Sequence, residues 1–382
     1  MRAKIAVSSE SLMFGGMLFL IYMLAKAPLL LGQDVELDSF RLVLTLFPLI
    51  GLVVGAAAAL VVCKKSYACC FLVFFNVLFV LNLVGTEFNS LGFFKYVSLS
   101  IFLSLIALIY CLLPKRHSLG EVLVTFAGTL TLYGVLAVLW GVIKGQQFSL
   151  RESIGINGPI VFGQLMITAS AIFMLYGNRR YMLAATSAML SLLSFSKGPV
   201  VAGLFVLFFK RKLLSVFLGL LAISSILFLP PEFFENRLFS FVKAIYGAVM
   251  DDDYGSLFSG SNYGSIGSRL EQYILAASLL SDFPYGIGVG QWGRFSIHEY
   301  PHNFFVEIIV EQGWLLGGLS LIMIIFSYLR IRDENLKCLL LMFLLFSMFS
   351  GSVLDNRGVY MVALLGLLYL SESHNPNAGA RI

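Results

Sequence analysis

Long apolar runs broken by short polar stretches dominate the chain. A membrane-spanning helix needs about 20 mostly apolar residues. Runs of that kind lie at 12–32, 42–63, 67–84, 91–113, 121–143, 159–176, 181–194, 198–209, 213–230, 303–329, 338–351 and 358–371. The pattern predicts twelve spans. The seventh, eighth and twelfth are short, and the seventh and eighth flank Ser196-Lys197-Gly198 as a pair of partial helices. The first run lacks a small-residue cleavage site, so it reads as a helix and not as a removed signal. The runs are continuous and do not alternate, which argues against a β-barrel.

Charge assigns the orientation. With Arg2 and Lys4 in the cytoplasm, alternate loops hold Lys64/Lys65, Lys115/Arg116, Arg179/Arg180, Lys210/Arg211/Lys212 and Arg330/Arg332/Lys337, and Arg381 follows the last run. Those are fifteen cations, against five in the opposite short loops: Arg41, Lys144, Arg151, Lys197 and Arg357. The bias follows the positive-inside rule and places both termini in the cytoplasm. Trp140, Trp292 and Trp314 fall on or near the outer side, where amphipathic rings favour the interface.

Composition agrees. Of 382 residues, 59% are apolar and 12% charged, against about 25% charged in a soluble domain. Mean hydropathy is +0.89. This excludes a soluble enzyme, a disordered chain and a disulfide scaffold. The net charge of +5 reads as topology with some attraction to anionic lipid, and no nucleic-acid partner is implied. Cys63, Cys69, Cys70, Cys111 and Cys338 lie in or beside helices, so neither a disulfide nor a Cys-based metal site is expected. No internal repeat of the transporter kind is visible.

The organisation has three parts: spans one to nine over 1–230, a large outward loop over 231–302, and spans ten to twelve with a cytoplasmic tail over 303–382. The loop carries Asp251-Asp252-Asp253, a solvated run with cation binding as its other reading. A helix is expected near 269–280, capped by Ser268. Its apolar face would be Leu270, Tyr273, Ile274, Ala277 and Leu280. His298-Glu299-Tyr300-Pro301-His302 matches the zinc-protease pattern H-E-x-x-H. Pro301 lacks an N–H and pushes Tyr300 out of helical geometry, so the helix that pattern requires cannot form. The glycines at 286, 288, 290 and 293 follow no β-strand, and they read as a tight turn that lets backbone approach helix ends, not as a dinucleotide loop.

The outward cations are the candidate chemistry. Arg151, Lys197, Arg269 and Arg357 sit in otherwise lean loops and would suit a diphosphate, which arginine binds bidentately. The bland alternative is snorkelling or contact with lipid headgroups. His302 is the outer residue able to move a proton near neutral pH, with helix capping as its other reading. Glu307 and Glu311 lie in the outer turns of the tenth span, where an ionisable group signals function or a cation partner. For Lys26 and Lys95, inside the first and fourth spans, pairing or snorkelling is the plain reading.

The run Pro301-His302-Asn303-Phe304-Phe305-Val306-Glu307-Ile308-Ile309-Val310-Glu311-Gln312-Gly313 resembles the signature H-N-x-x-x-E-x-x-x-E-x-G of the O-antigen polymerase/ligase superfamily. Ser268-Arg269 with Pro284-Tyr285-Gly286-Ile287-Gly288-Val289-Gly290 resembles its S-R … P-x-G-x-G-x-G segment. Arg151 with Gly155, Asn157, Gly158 and Pro159 resembles its earlier arginine motif, and Ser196-Lys197-Gly198 its S-R/K-G turn. The likeness covers roughly 145–370. It implies an all-α integral membrane fold of about twelve spans, related to the GT-C glycosyltransferases, with one large periplasmic loop.

The implied reaction moves a glycan from undecaprenyl diphosphate to a sugar hydroxyl at the periplasmic face of the bacterial inner membrane, without nucleotide sugar, metal or other cofactor. Arg151 and Arg269 would bind the diphosphate, and His302 would orient or deprotonate the attacking hydroxyl. Lys197, Asn303, Glu307 and Arg357 would help bind substrate. The acceptor is a second lipid-linked repeat unit in a polymerase and lipid A–core in a ligase, with a chain-length regulator as a further partner. Asn157-Gly158-Pro159 and Ser196-Lys197-Gly198-Pro199 resemble polymerases more than ligases. Two readings from other classes stand beside these: a lipid-glycan transporter, from the span number, and a membrane zinc protease, from His298 and His302.

Overall fold

The structure is a computed structural model. It describes residues 8–25, 66–85, 90–112, 119–143, 158–177, 180–194, 197–210, 267–298, 300–349 and 351–372. Eleven α-helices and one short 3₁₀ turn, and no strand, occur among the described residues. They are α1 (Ser9–Leu24), α2 (Ser66–Gly85), α3 (Ser90–Leu112), α4 (Leu119–Ile143), α5 (Gly158–Tyr176), α6 (Tyr181–Leu193), α7 (Lys197–Lys210), α8 (Gly267–Asp282), α9 (Phe304–Arg330), α10 (Glu334–Phe349) and α11 (Arg357–Glu372). Ten of these stand where the hydropathy pattern puts a span. The candidate spans 42–63 and 213–230 lie outside the described residues.

Among the described residues three helices are long and apolar enough to cross a membrane: Leu91–Leu112, Leu119–Ile143 and Phe304–Arg330. The rest of the apolar set is shorter, including Ser9–Leu24, Tyr67–Asn82, Ile160–Tyr176, Tyr181–Leu193 and Arg357–Leu370. A membrane protein is the plausible reading of this all-helical, apolar set.

α11 is the centre of the bundle. Arg357 through Leu368 are all buried, and α2, α3, α9 and α10 pack around them. A helix apolar on every side belongs in such a position. Small residues let its neighbours close in: a Cβ on Gly358 would overlap the Phe343 ring, and one on Gly366 would overlap Ile331. A second sheaf of α1, α4, α5 and α6 packs beside it, and α7 bridges α5 to α10. Several polar groups inside these helices are satisfied locally. The hydroxyls of Thr168 and Ser327 donate to carbonyls four residues back, as does one of the pair Thr131 and Ser187. Thr131 and Ser187 also bond across α4 and α6 at 2.8 Å, and Ser191 of α6 donates to the Gly163 carbonyl of α5 at 2.9 Å. Outward faces stay apolar, as in Leu132, Leu136, Leu139 and Trp140 of α4.

The helix ends sort into two groups. At one end Arg330 lies 5.0 Å over the Tyr67 ring, Tyr176 donates to Asp333 Oδ1 at 3.1 Å, and Asn335 Nδ2 donates to the Leu175 carbonyl at 3.3 Å. At the other end stand Tyr22, Asn82, Gly92, Val289, His302 and Arg357.

The helix expected near 269–280 is α8. It starts at Gly267, so Ser268 falls inside its first turn and not at the cap. The expected apolar face is corrected. Leu270 is 39% exposed and Ile274 56%, while the buried stripe is Gln272, Ala276, Leu279 and Leu280. The helix is rotated because its partners lie on that side: Ile287, Trp292 and Val310, with Val306 and Ile309 at the margin.

Candidate functional site

The site is built on the start of α9. Pro301 and His302 precede the helix in a turn, and His302 takes φ +53°, a left-handed conformation rare for a residue with a Cβ. Asn303 is the N-cap. Its Oδ1 accepts from the Phe305 and Val306 N–H groups at 3.0 and 3.3 Å, and its Nδ2 donates to Tyr273 Oη of α8 at 3.4 Å. Phe304 is fully buried against Phe305 and Tyr360. The histidine is thus placed by a cap, a proline and a buried aromatic anchor. The described residues of the H-E-x-x-H run, His298 and 300–302, lie outside any helix, and the rings of His298 and His302 stand 5.7 Å apart.

α9 is broken nine residues in. Gly313 has φ 74°, ψ 175°. A break in a buried helix leaves backbone groups without helical partners, and inside a membrane protein they must be met by other protein groups. The glycine-rich loop meets them. The Ile287 N–H donates to the Val310 carbonyl at 3.0 Å, the Gly288 N–H to the Glu311 carbonyl at 2.9 Å, and the Trp314 N–H to the Pro284 carbonyl at 3.0 Å. Gly286 and Gly313 touch backbone to backbone, and a Cβ on Gly313 would overlap the Tyr285 carbonyl carbon. The same loop packs on the start of α3, where a Cβ on Gly92 would overlap the Val289 carbonyl. Asn82 of α2 closes the arrangement, donating to the Glu311 carbonyl at 3.1 Å and accepting the Val289 N–H at 2.9 Å. The glycine run is therefore a backbone-approach turn, as its spacing indicates.

Below the histidine lies a buried cluster. Lys95 Nζ of α3 stands 2.6 Å from Glu307 Oε1 and 3.2 Å from Glu311 Oε1. Glu307 Oε2 accepts the Val353 N–H at 2.9 Å. Both Glu307 oxygens are therefore engaged inside the fold. The connection from α10 to α11, 350–356, is buried where described. Ser352 donates through N–H and Oγ to Asp355 Oδ2 at 3.0 and 3.2 Å.

His302 is half-buried. Its proton affinity is held below the usual histidine range by burial first, then by the positive charge of Arg269 and by His298, with Asp355 acting the other way. Arg269 lies in the first turn of α8, and Asp355 in the connection from α10 to α11. The Tyr300 ring stands 4.7 Å from the His302 ring. At neutral pH the imidazole is neutral and can accept a proton.

The expected site residues divide. His302 and Asn303 adjoin at the start of α9, and Asn303 bonds Tyr273 of α8, the helix that carries Arg269 in its first turn. Glu307 sits one to two turns beneath them in the lysine cluster. Arg357 is wholly buried at the start of α11, with Nε donating to the Tyr22 carbonyl at 2.8 Å and Nη1 to the Leu354 carbonyl at 3.0 Å. Lys197 is the first residue of α7. Arg151 lies outside the described residues, as does Asp251–Asp253. Sequence reasoning passed over Asp355 and Asn82. Asp355 carried a usable signal, being the acidic residue in the short loop between the last two spans. Among the described residues no group of three His, Cys, Asp or Glu is arranged to hold a metal ion.

Residues 169–321 match the family model described as O-antigen ligase. No curated protein and no solved structure matches the chain. The matched segment runs from the middle of α5 to the middle of α9. It includes Lys197, Arg269, His302, Asn303 and Glu307, and leaves Arg151 and Arg357 outside. The O-antigen ligase family domain at residues 169–321 supports the O-antigen polymerase/ligase superfamily as the family of this chain.

Proposed function

We propose that the protein is a membrane glycosyltransferase that polymerises undecaprenyl-diphosphate-linked oligosaccharide repeat units, at the periplasmic face of the bacterial inner membrane, in a chain of twelve spans with both termini cytoplasmic. The observation that carries this is that Asn303, the cap of α9 beside His302, bonds Tyr273 of α8, the helix whose first turn carries Arg269, inside the segment that matches the family. The acceptor hydroxyl attacks the anomeric carbon of the donor glycan. The new glycosidic bond forms as the bond to the diphosphate oxygen breaks, and undecaprenyl diphosphate leaves. His302 takes the hydroxyl proton. Arg269, with Arg151, meets the negative charge that grows on the leaving diphosphate. Asn303 and Lys197 border the substrate, and Glu307 and Arg357 support the site from within the fold. The polyprenyl tail lies against the apolar helix faces. A GT-C-related origin and a chain-length regulator as partner accompany this reading.

The second reading is a ligase with lipid A–core as acceptor, favoured by the description of the matching family model. Gel analysis of surface polysaccharide tests both. His302→Ala and Arg269→Ala should each abolish long chains on lipid A–core. Single repeat units left on lipid A–core indicate a polymerase. Long chains held on the lipid carrier, with bare core, indicate a ligase. Unchanged long chains in both variants overturn the site, and purified protein that neither lengthens lipid-linked product nor transfers it to lipid A–core leaves the transporter reading.

A further inference from the structure

Lys95 lies in α3, outside the segment that matches the family, and no role above uses it beyond its countercharge. Its geometry asks for more. A buried lysine needs one carboxylate to be neutralised. Lys95 takes two, Glu307 at 2.6 Å and Glu311 at 3.2 Å, with all three side chains buried. The two acids stand four residues apart on one helix face. A single ammonium holding both fixes the height and the rotation of that stretch of α9. The stretch needs fixing, because the break at Gly313 separates residues 304–312 from the rest of the helix.

The connection continues toward the histidine. Glu307 Oε2 holds the Val353 N–H at 2.9 Å. Ser352, next in the chain, holds Asp355. Asp355 faces His302 electrostatically from the α10–α11 connection, Arg269 faces it from α8, and His298 from the preceding loop. Lys95 and Glu307 therefore join the element that carries the histidine to the element that carries its acidic neighbour.

We propose that Lys95 is a positioning residue of the glycan-transfer site: by holding Glu307 and Glu311 it fixes segment 304–312, and through Glu307 and Val353 it sets the separation of His302 from Asp355. This rests on the glycosyltransferase reading.

The test uses the full-length protein in proteoliposomes with polyprenyl-diphosphate-linked repeat units as substrate. Lys95→Met removes the ammonium. Glu307→Gln is the milder variant: its one oxygen accepts from Lys95 or from Val353, not from both. Both variants should lose about tenfold or more in kcat, with KM for the donor within about twofold. The acid limb of the kcat profile should move by about half a pH unit or more, because the charges around His302 are rearranged. If Lys95→Met does not fold, Glu307→Gln alone decides. Wild-type kcat, or a loss of kcat with an unmoved acid limb, overturns the proposal. His302→Ala and Arg269→Ala run in parallel. If they abolish transfer while Glu307→Gln behaves as wild type, the positioning role fails and the glycosyltransferase reading stands. If they retain transfer, that reading fails and the positioning role falls with it.

Discussion

Arg357 donates from Nε to the carbonyl oxygen of Tyr22 at 2.8 Å, and its guanidinium carbon stands 4.2 Å from the centre of the Tyr22 ring. One side chain thus ties the first described helix to the central one, 335 residues apart. The guanidinium is held by a π-face and two carbonyls.

Arg357→Met should therefore destabilise the protein. It removes a buried cation–π contact and leaves the Tyr22 and Leu354 carbonyls short of a donor, a loss of about 3 kcal/mol. Arg357→Lys keeps the charge but not the planar fork, and should fall between. Thermal unfolding in detergent measures both. A Met variant that is fully stable yet inactive would instead make Arg357 a substrate contact.

Gly313→Ala should undock the glycine-rich loop. The site has φ 74°, which costs a residue with a Cβ about 1–2 kcal/mol, and the added carbon would overlap Tyr285 and Gly286. Limited proteolysis of the 284–298 loop should become faster. Unchanged cleavage would mean that the loop docks without this backbone contact.

Transfer should be active at a pH lower than an ordinary histidine would allow. A base must be neutral, and the proton affinity of His302 is depressed by burial, Arg269 and His298. Activity therefore rises as pH climbs through a value below the usual one of about 6.5, and is lost as pH falls through it. Asp355 raises that affinity, so Asp355→Asn should move the acid limb of residual activity further down. An upward movement would refute the sign.

Asn303 separates two roles cleanly. Asn303→Ala removes the cap and should cost about 1 kcal/mol, read as a lower unfolding midpoint. Asn303→Asp restores the cap acceptor. If the Asp variant regains stability but not transfer, Asn303 touches substrate. If it regains both, the residue serves only the helix.

Much of this was legible in the sequence because it is local. Apolar runs gave the helices, Pro301 kept residues 300–302 out of the helix, and Asn303 marked the start of α9. The rotation of α8 was not legible. Leu270 and Ile274 fit a helical stripe as well as Ala276 and Leu279 do, and only contact with Val310 and Trp292 chooses between them. Arg357 read as an outward cation because it follows a short outer loop, and α1 brings the Tyr22 ring that holds it inside.

By itself the sequence determined an apolar helical chain, the order of its helices, which ends share a side, and the residues His302, Arg269 and Asn303 as candidate chemistry. Helix formation and burial in an apolar medium depend on neighbours within a few turns. The tertiary structure alone decided where the charges point. Lys95 meets Glu307 across 212 residues, and Asn82 bridges Glu311 and Val289 across more than 200. A buried charge is settled by whichever distant group the fold delivers to it, and spacing along one helix carries no record of that partner.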